Sequence, residues 1–108
     1  MSSLATNPKH QVEPFRLKKE SKISWDIVQK TVDSLPRTKI ASADSINIHA
    51  ECRSIIFRFI DDLTLHLTPS KGIIHIRSAS RIGYSDLGVN RRRVESLRKK
   101  LQHKEIIE

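Results

Sequence analysis

Leu63-Thr64-Leu65-His66-Leu67-Thr68, then Pro69-Ser70-Lys71-Gly72, then Ile73-Ile74-His75-Ile76-Arg77-Ser78 is the stretch that decides the fold. Apolar and polar residues alternate on both sides of the Pro-Gly segment, the period of a strand with one buried face. Proline suits the first corner of a tight turn, and glycine suits a left-handed exit from it. If Pro69 to Gly72 form the loop, Thr68 faces Ile73, Leu67 faces Ile74, Leu65 faces Ile76 and Leu63 faces Ser78. A slip by one residue sets Leu65 against His75 and Leu63 against Arg77, so the pattern selects the first register. On the other face that register sets His66 against His75 and Thr64 against Arg77, with Asp62 a diagonal neighbour of Arg77.

Upstream, the strand extends as Ile56 to Leu67, with Phe57, Phe59, Leu63, Leu65 and Leu67 sharing one parity. Asp61 shares that parity too, and an unpaired carboxylate among apolar side chains is costly. Twelve residues at ~3.3 Å each also make a long flat strand. A β-bulge or bend at Asp61-Asp62 relieves both difficulties and is therefore expected. Before it, Ile46, Ile48, Ala50 and Cys52 alternate with Asn47, His49, Glu51 and Arg53, a second half-buried strand. Asp44-Ser45 is a turn, and Lys39 to Ser42 a weak strand leading into it.

Helical spacing appears twice. Ser24 is a candidate cap for a helix in which Trp25, Val28, Val32 and Leu35 fall on one face, closed by Pro36. Near the C-terminus, Leu87, Val94, Leu97 and Leu101 form an apolar stripe. If Asn90 capped this helix, Arg91, Arg92 and Arg93 would crowd its first turn, where the helix dipole disfavours cations. A start near Ser85 or Asp86 avoids that and puts Asn90 inside the stripe, facing the sheet, with Gly88 in the first turn. Val12, Phe15 and Leu17, interrupted by Pro14, read as an edge strand or docking strap. These elements predict a two-layer α+β domain: an antiparallel sheet of about four strands with two helices packed on one face. Residues 1–11 form a loose arm, 12–104 the domain and 105–108 a tail.

With 108 residues the chain has room for one core. The single Cys52 excludes an intrachain disulfide framework and a multi-cysteine zinc site, and reads as a small core residue. No apolar run approaches the ~18 residues of a membrane span, and the opening residues do not read as a signal peptide. Twenty Lys+Arg against 12 Asp+Glu give a formal net charge of +8, which admits anionic partners without choosing among them.

Four groups of residues are candidates for chemistry. Asp61 and Asp62 are paired carboxylates. Their ordinary reading is a structural cluster with Asp86 and Asn90, accepting hydrogen bonds from Ser78, Ser80 or Asn90 and pairing with Arg77 or Arg81. The sharper reading makes them general acid and base in a pocket beside Arg77 and Arg81. Arg77, Ser78, Ser80, Arg81, Ser85 and Arg91 surround a glycine-containing corner, and hydroxyls and arginines ahead of a helix suit a small anion. Asp86 opposes that, and the spacing matches neither a Walker loop nor a dinucleotide fingerprint. Arg91, Arg92, Arg93, Arg98, Lys99, Lys100 and Lys104 wrap the outer arc of the last helix; a solvated face is the ordinary reading and an anionic membrane or acidic protein the functional one. His66 and His75, with His49 on the same face, are a weak metal signal without an assured third ligand, and no metal or cofactor is assigned. Nucleic acid fits poorly, because Phe15, Trp25, Phe57 and Phe59 are mostly claimed by the core and leave no stacking platform. Tyr84 reads as a lid over the sheet edge or a contact residue.

The run Phe57-Arg58-Phe59-Ile60-Asp61-Asp62, then Ile74 to Arg81, then Gly83-Tyr84-Ser85-Asp86-Leu87-Gly88-Val89-Asn90-Arg91 resembles the signature of domain of unknown function family 1499, from bacteria and plastid-bearing organisms. The likeness extends from about Asn7 to Leu101 and includes His10 and Pro14. The resemblance implies no established activity. It does imply that a leader or membrane segment and a Cys-Val-Ser-Ser stretch often precede the domain. Here Ser2-Ser3 follow Met1 without that cysteine, which reads as a trimmed chain or a short member, and a removed leader would suggest the cell envelope or periplasm.

The expectation is therefore a small non-enzymatic binding or accessory module for an anionic partner: a lipid headgroup, an acidic protein or a small anion. Its rival is an enzyme using Asp61 and Asp62 with Arg77 and Arg81. A purely structural subunit would need a contiguous exposed apolar patch, which the pattern does not display.

Overall fold

The alternating segments become a single antiparallel sheet in the computed structural model, which describes residues 11–18, 22–53, 60–81 and 87–108. In chain order the elements are β1 (Phe15–Arg16), α1 (Lys22–Asp33), β2 (Thr38–Ala43), β3 (Asn47–Arg53), β4 (Ile60–Thr68), β5 (Ile73–Ser80) and α2 (Leu87–His103). The sheet order is β1-β5-β4-β3-β2, five strands because the segment after Pro14 pairs as a two-residue edge strand. α1 lies over β2 and β3, α2 over β5, and the helices touch each other. This is the two-layer α+β architecture, with no described helix packed on the other face of the sheet.

The β4–β5 register is the one the apolar pattern selects: Thr68 opposite Ile73, Leu67 opposite Ile74, Leu65 opposite Ile76 and Leu63 opposite Ser78. Gly72 takes φ 63°, a left-handed conformation that a side chain disfavours. The expected bulge at Asp61-Asp62 is absent. Pairing runs unbroken from Arg53–Ile60 to Asn47–His66 on one side and from Asp61–Ser80 onward on the other. The inward carboxylate is tolerated because α2 supplies a cation to it, as shown below. The sheet's irregularity lies in β2 instead, between Ile40 and Ser42. The Ile56 to Phe59 part of the long strand, the arm over residues 1–10, Tyr84 and the cap candidates Ser85 and Asp86 lie outside the described residues.

Inward side chains of four strands and both helices make one core: Phe15, Trp25, Val28, Val32, Ile48, Ala50, Cys52, Leu63, Leu65, Ile74, Ile76, Val94, Leu97 and Leu101 are all buried. Trp25 anchors α1, and its Nε1–H donates to the Asp44 carbonyl at 2.8 Å. Asp44 in turn builds the β2–β3 turn, its Oδ1 accepting the N–H groups of Ile46 at 2.9 Å and Asn47 at 2.7 Å. Ser24 is not the cap of α1: the helix already includes Lys22, which places buried Ser24 in its first turn.

Residues 105–108 do not hang free as a tail. α2 ends in a Schellman turn, with Ile106 N–H donating to Leu101 O at 3.0 Å, Glu105 N–H to Gln102 O at 2.9 Å and Glu105 at φ 60°. The chain then reverses, and Ile107 bridges Leu17 while Glu108 N–H donates to Arg16 O at 2.9 Å. Ile107 is buried, so burial of an apolar side chain holds the segment in place.

Candidate functional site

Successive residues of a strand point to opposite faces, so the Asp61-Asp62 pair is split between the two sides of the sheet. Asp61 points under α2, and Asp62 points to the uncovered face. The two carboxylates therefore do not share one site.

Asp61 sits in a buried polar cluster. α2 contains Asn90 in its first turns, fully buried against the sheet, which fits a helix starting by Leu87 and excludes Asn90 as its cap. One turn on, Arg93 lies at the flank of the apolar stripe and turns inward; its side chain is only 14% exposed. A single nitrogen, Nη1, stands 3.0 Å from Asp61 Oδ2, 3.0 Å from Ser78 Oγ and 3.0 Å from Asn90 Oδ1. The Ser78 hydroxyl donates to Asn90 Oδ1 at 2.6 Å. Ser80, opposite Asp61 on β5, borders the group. Among the described residues no buried side-chain nitrogen or oxygen lacks a partner, as a buried polar cluster requires.

The partner of Asp61 is thus Arg93, and neither Arg77 nor Arg81. Both of those arginines have the parity of the uncovered face, and Arg77 is exposed there, opposite Thr64. The sequence signal for Arg93 is its position three residues after Asn90, one helical turn, but its place on the flank of the stripe reads equally as solvent-facing.

On the uncovered face Asp62 accepts a two-pronged contact from Arg81: Nε to Oδ2 at 2.9 Å and Nη2 to Oδ1 at 2.9 Å. His49 Nε2 lies 2.8 Å from Asp62 Oδ1, and Glu51 Oε1 is 3.5 Å from Arg81 Nη2. Asp62 stands opposite Glu51 on β3 and Ala79 on β5, which makes Arg77 and Arg81 its two diagonal neighbours. It takes Arg81, which also reaches Glu51. The Arg81 guanidinium holds the Asp62 carboxyl down to about 2, with His49 assisting, and Asp62 in turn raises Arg81. A carboxyl so acidic stays ionised at neutral pH and has no proton to give.

The remaining cations of α2 divide. Arg98, on the flank opposite Arg93, pairs with Glu95 at 3.0 Å, lies 4.8 Å from the centroid of the Phe15 ring and donates to the carbonyls of Glu13 and Pro14. It fastens the N-terminal segment through charge, ring contact and hydrogen bonds. Lys104, the residue after α2, donates to the buried Thr31 hydroxyl at 2.8 Å, tying the end of α2 to α1. Arg91 donates to Gln11 O at 3.4 Å. Arg92, Lys99 and Lys100 are exposed and have no carboxylate paired with them among the described residues.

Of the expected anion-binding set, Ser78 is buried in the Asp61 cluster, Arg81 is paired with Asp62, Arg77 and Ser80 take opposite faces of β5, and Arg91 donates to Gln11 O. Ser85 and Asp86 lie outside the described residues. His66 and His75 stand directly opposite each other, as the register requires. No group of three or more His, Cys, Asp or Glu side chains suited to a metal converges among the described residues. Cys52 is buried, 3.4 Å from Thr38 Oγ1. Among the described residues, no helix is long and apolar enough to cross a membrane.

No curated protein and no solved structure matches the chain. A family model described as Protein of unknown function (DUF1499) matches residues 1–101. With all but the last seven of its 108 residues inside that match, the hairpin and the Asp61-Arg93 cluster included, the chain belongs to the DUF1499 family.

Proposed function

We propose that the chain is a small non-enzymatic binding module that presents the outer arc of α2 to an anionic partner, with lipid headgroups at the cell envelope the leading case. The observation that carries this reading is the division of the α2 cations. Arg93 and Arg98 are turned into the fold and Lys104, just past the helix end, is tied to Thr31, whereas Arg92 and Lys99 remain exposed opposite the apolar stripe and Lys100 remains exposed on its flank. Like charges left together on one helix face attract an anionic surface at about 1 kcal/mol per residue near the membrane.

The rival enzymatic reading needs both carboxylates at one pocket. Its support is weakened by their placement on opposite faces and by the arginine that each already holds. Ile23 is the exposed large apolar side chain among the described residues, so a structural role through a contiguous apolar patch gains little support either.

Cosedimentation with vesicles tests the proposal. Binding is expected to vesicles containing anionic phospholipid at low ionic strength, to fall as salt rises, and to be lost in the Arg92→Glu/Lys99→Glu/Lys100→Glu variant. Indifference to anionic vesicles at low salt would overturn the lipid reading. Binding to an acidic polypeptide but not to vesicles would move the partner to a protein.

A further inference from the structure

The uncovered face of the sheet holds a second arrangement, separate from the Asp62 ion pairs and from the basic arc of α2. His66 on β4 and His75 on β5 are direct cross-strand partners. Side chains so placed leave an antiparallel sheet on the same side, with Cβ atoms ~4.5–5.5 Å apart. Two imidazoles at that spacing can reach one ion between them.

What the sequence did not show is how His66 is held. Its Nδ1 lies 2.7 Å from Asn47 Oδ1, Asn47 being its cross-strand partner on β3. The Asn47 amide is itself oriented, because Nδ2 faces both oxygens of Asp44, at 3.3 and 3.4 Å. A carboxylate only accepts, so the amide nitrogen belongs on that side and the amide oxygen on the His66 side. An amide oxygen also only accepts, so His66 Nδ1 carries a proton in this contact. In the neutral ring the lone pair is then on Nε2. Asp44 is fixed in its turn by the backbone N–H groups of Ile46 and Asn47. Carboxylate, amide and imidazole form a relay of the kind that orients metal-ligating histidines by securing their other ring nitrogen.

We propose that His66 and His75 form a two-histidine site for a divalent transition-metal ion of the Ni2+ or Cu2+ kind. Nε2 of His66 is one ligand, a ring nitrogen of His75 the second, and water fills the remaining positions. Two imidazoles with oxygen ligands suit the tetragonal preference of these ions. A closed structural zinc site would call for more protein ligands. His49, on the same face, has Nε2 on Asp62 and belongs to the ion-pair network. Arg77, two positions along β5 from His75, adds positive charge nearby, so affinity rests on the imidazoles rather than on field attraction.

The test uses the full chain and Ni2+ alone, titrated calorimetrically at neutral pH in a buffer that does not coordinate metal. One Ni2+ per chain is expected. His66→Ala and His75→Ala should each weaken binding at least tenfold, and His103→Ala should leave it unchanged. Asn47→Ala should weaken it roughly tenfold, the size of a second-layer effect, while Asn47→Asp, which keeps an acceptor at Nδ1, should retain it. A measurement on the unaltered chain stands beside the variants: substoichiometric Ni2+ should broaden the ring resonances of His66 and His75 before those of His49 and His103. Uptake insensitive to both His66→Ala and His75→Ala, loss with His103→Ala, or broadening that spares the pair would each overturn the assignment.

Discussion

Asp61 and Asp62 are joined by one peptide bond and differ in almost every other physical respect. Asp61 faces the helical layer, is buried and meets Arg93, an arginine from the opposite layer of the fold. Asp62 faces solvent and meets Arg81, an arginine of the same sheet. The first pair couples helix to sheet where little water reaches, so removing either charge leaves the other with only neutral partners among the described residues. The second couples neighbouring strands at the surface, where water substitutes for either side. Residue type alone therefore does not say whether an acid–arginine pair is part of the architecture; the side of the sheet it occupies does.

The largest effect should come from the inner pair. Asp61→Ala is expected to lower stability by about 3–5 kcal/mol in urea denaturation, because Arg93 is left buried without its counter-charge. Replacing both, as Asp61→Leu/Arg93→Met, should recover most of that loss. A cost below about 1 kcal/mol for Asp61→Ala, the range of exposed ion pairs, would erase the contrast with Asp62. Asn90→Leu comes next, at about 1–3 kcal/mol, since the Ser78 hydroxyl and Arg93 lose a buried acceptor. A neutral result would put Asn90 outside the cluster.

The outer face should respond least. Asp62→Asn is expected to cost less than about 1 kcal/mol at neutral pH, and His66→Ala less than about 0.5 kcal/mol. The distinctive mark of Asp62 is acid sensitivity. Its carboxyl falls from about 3.8 unfolded to about 2 folded, so its contribution is fully present above the unfolded value and is lost as pH drops through 4 toward 2. Thermal unfolding across that window should show a steeper acid decline for the natural chain than for Asp62→Asn. Superimposable profiles would detach Asp62 from Arg81.

The strands that alternate strongly were legible in the sequence because a one-residue slip would expose every apolar side chain at once. Leu63, Leu65, Ile74 and Ile76 leave only one register, and the same parity already separates Asp61 from Asp62. Asn90 could be placed inward because an arginine-filled first turn is electrostatically poor. Arg93 and Arg98 could not be placed. Both stand on flanks of the α2 stripe, and an arginine there reaches inward or outward according to what the sheet offers it. Their carboxylate, carbonyl and ring partners come from distant parts of the chain, so local spacing carries no record of them. The same holds for Ile106 and Ile107, which join the core where the chain returns beside Leu17. The bulge expected at Asp61 failed for a related cause: the cost of an inward carboxylate was visible, but the cation that offsets it was not.

The bridge between Leu17 and Ile107 bears on the order of events during biosynthesis. β1 is made before β2–β5 and α2, and the residues that close over it come after all of them. The β2–β5 meander contains its own neighbouring pairings and can form while synthesis continues. The contacts that close over β1, Arg98 on Phe15 and Glu108 on Arg16, form only once α2 and the residues beyond it have emerged. Until then only the two-residue pairing of β1 covers the outer edge of β5, and this is the interval in which a nascent chain is most open to pairing with the wrong strand.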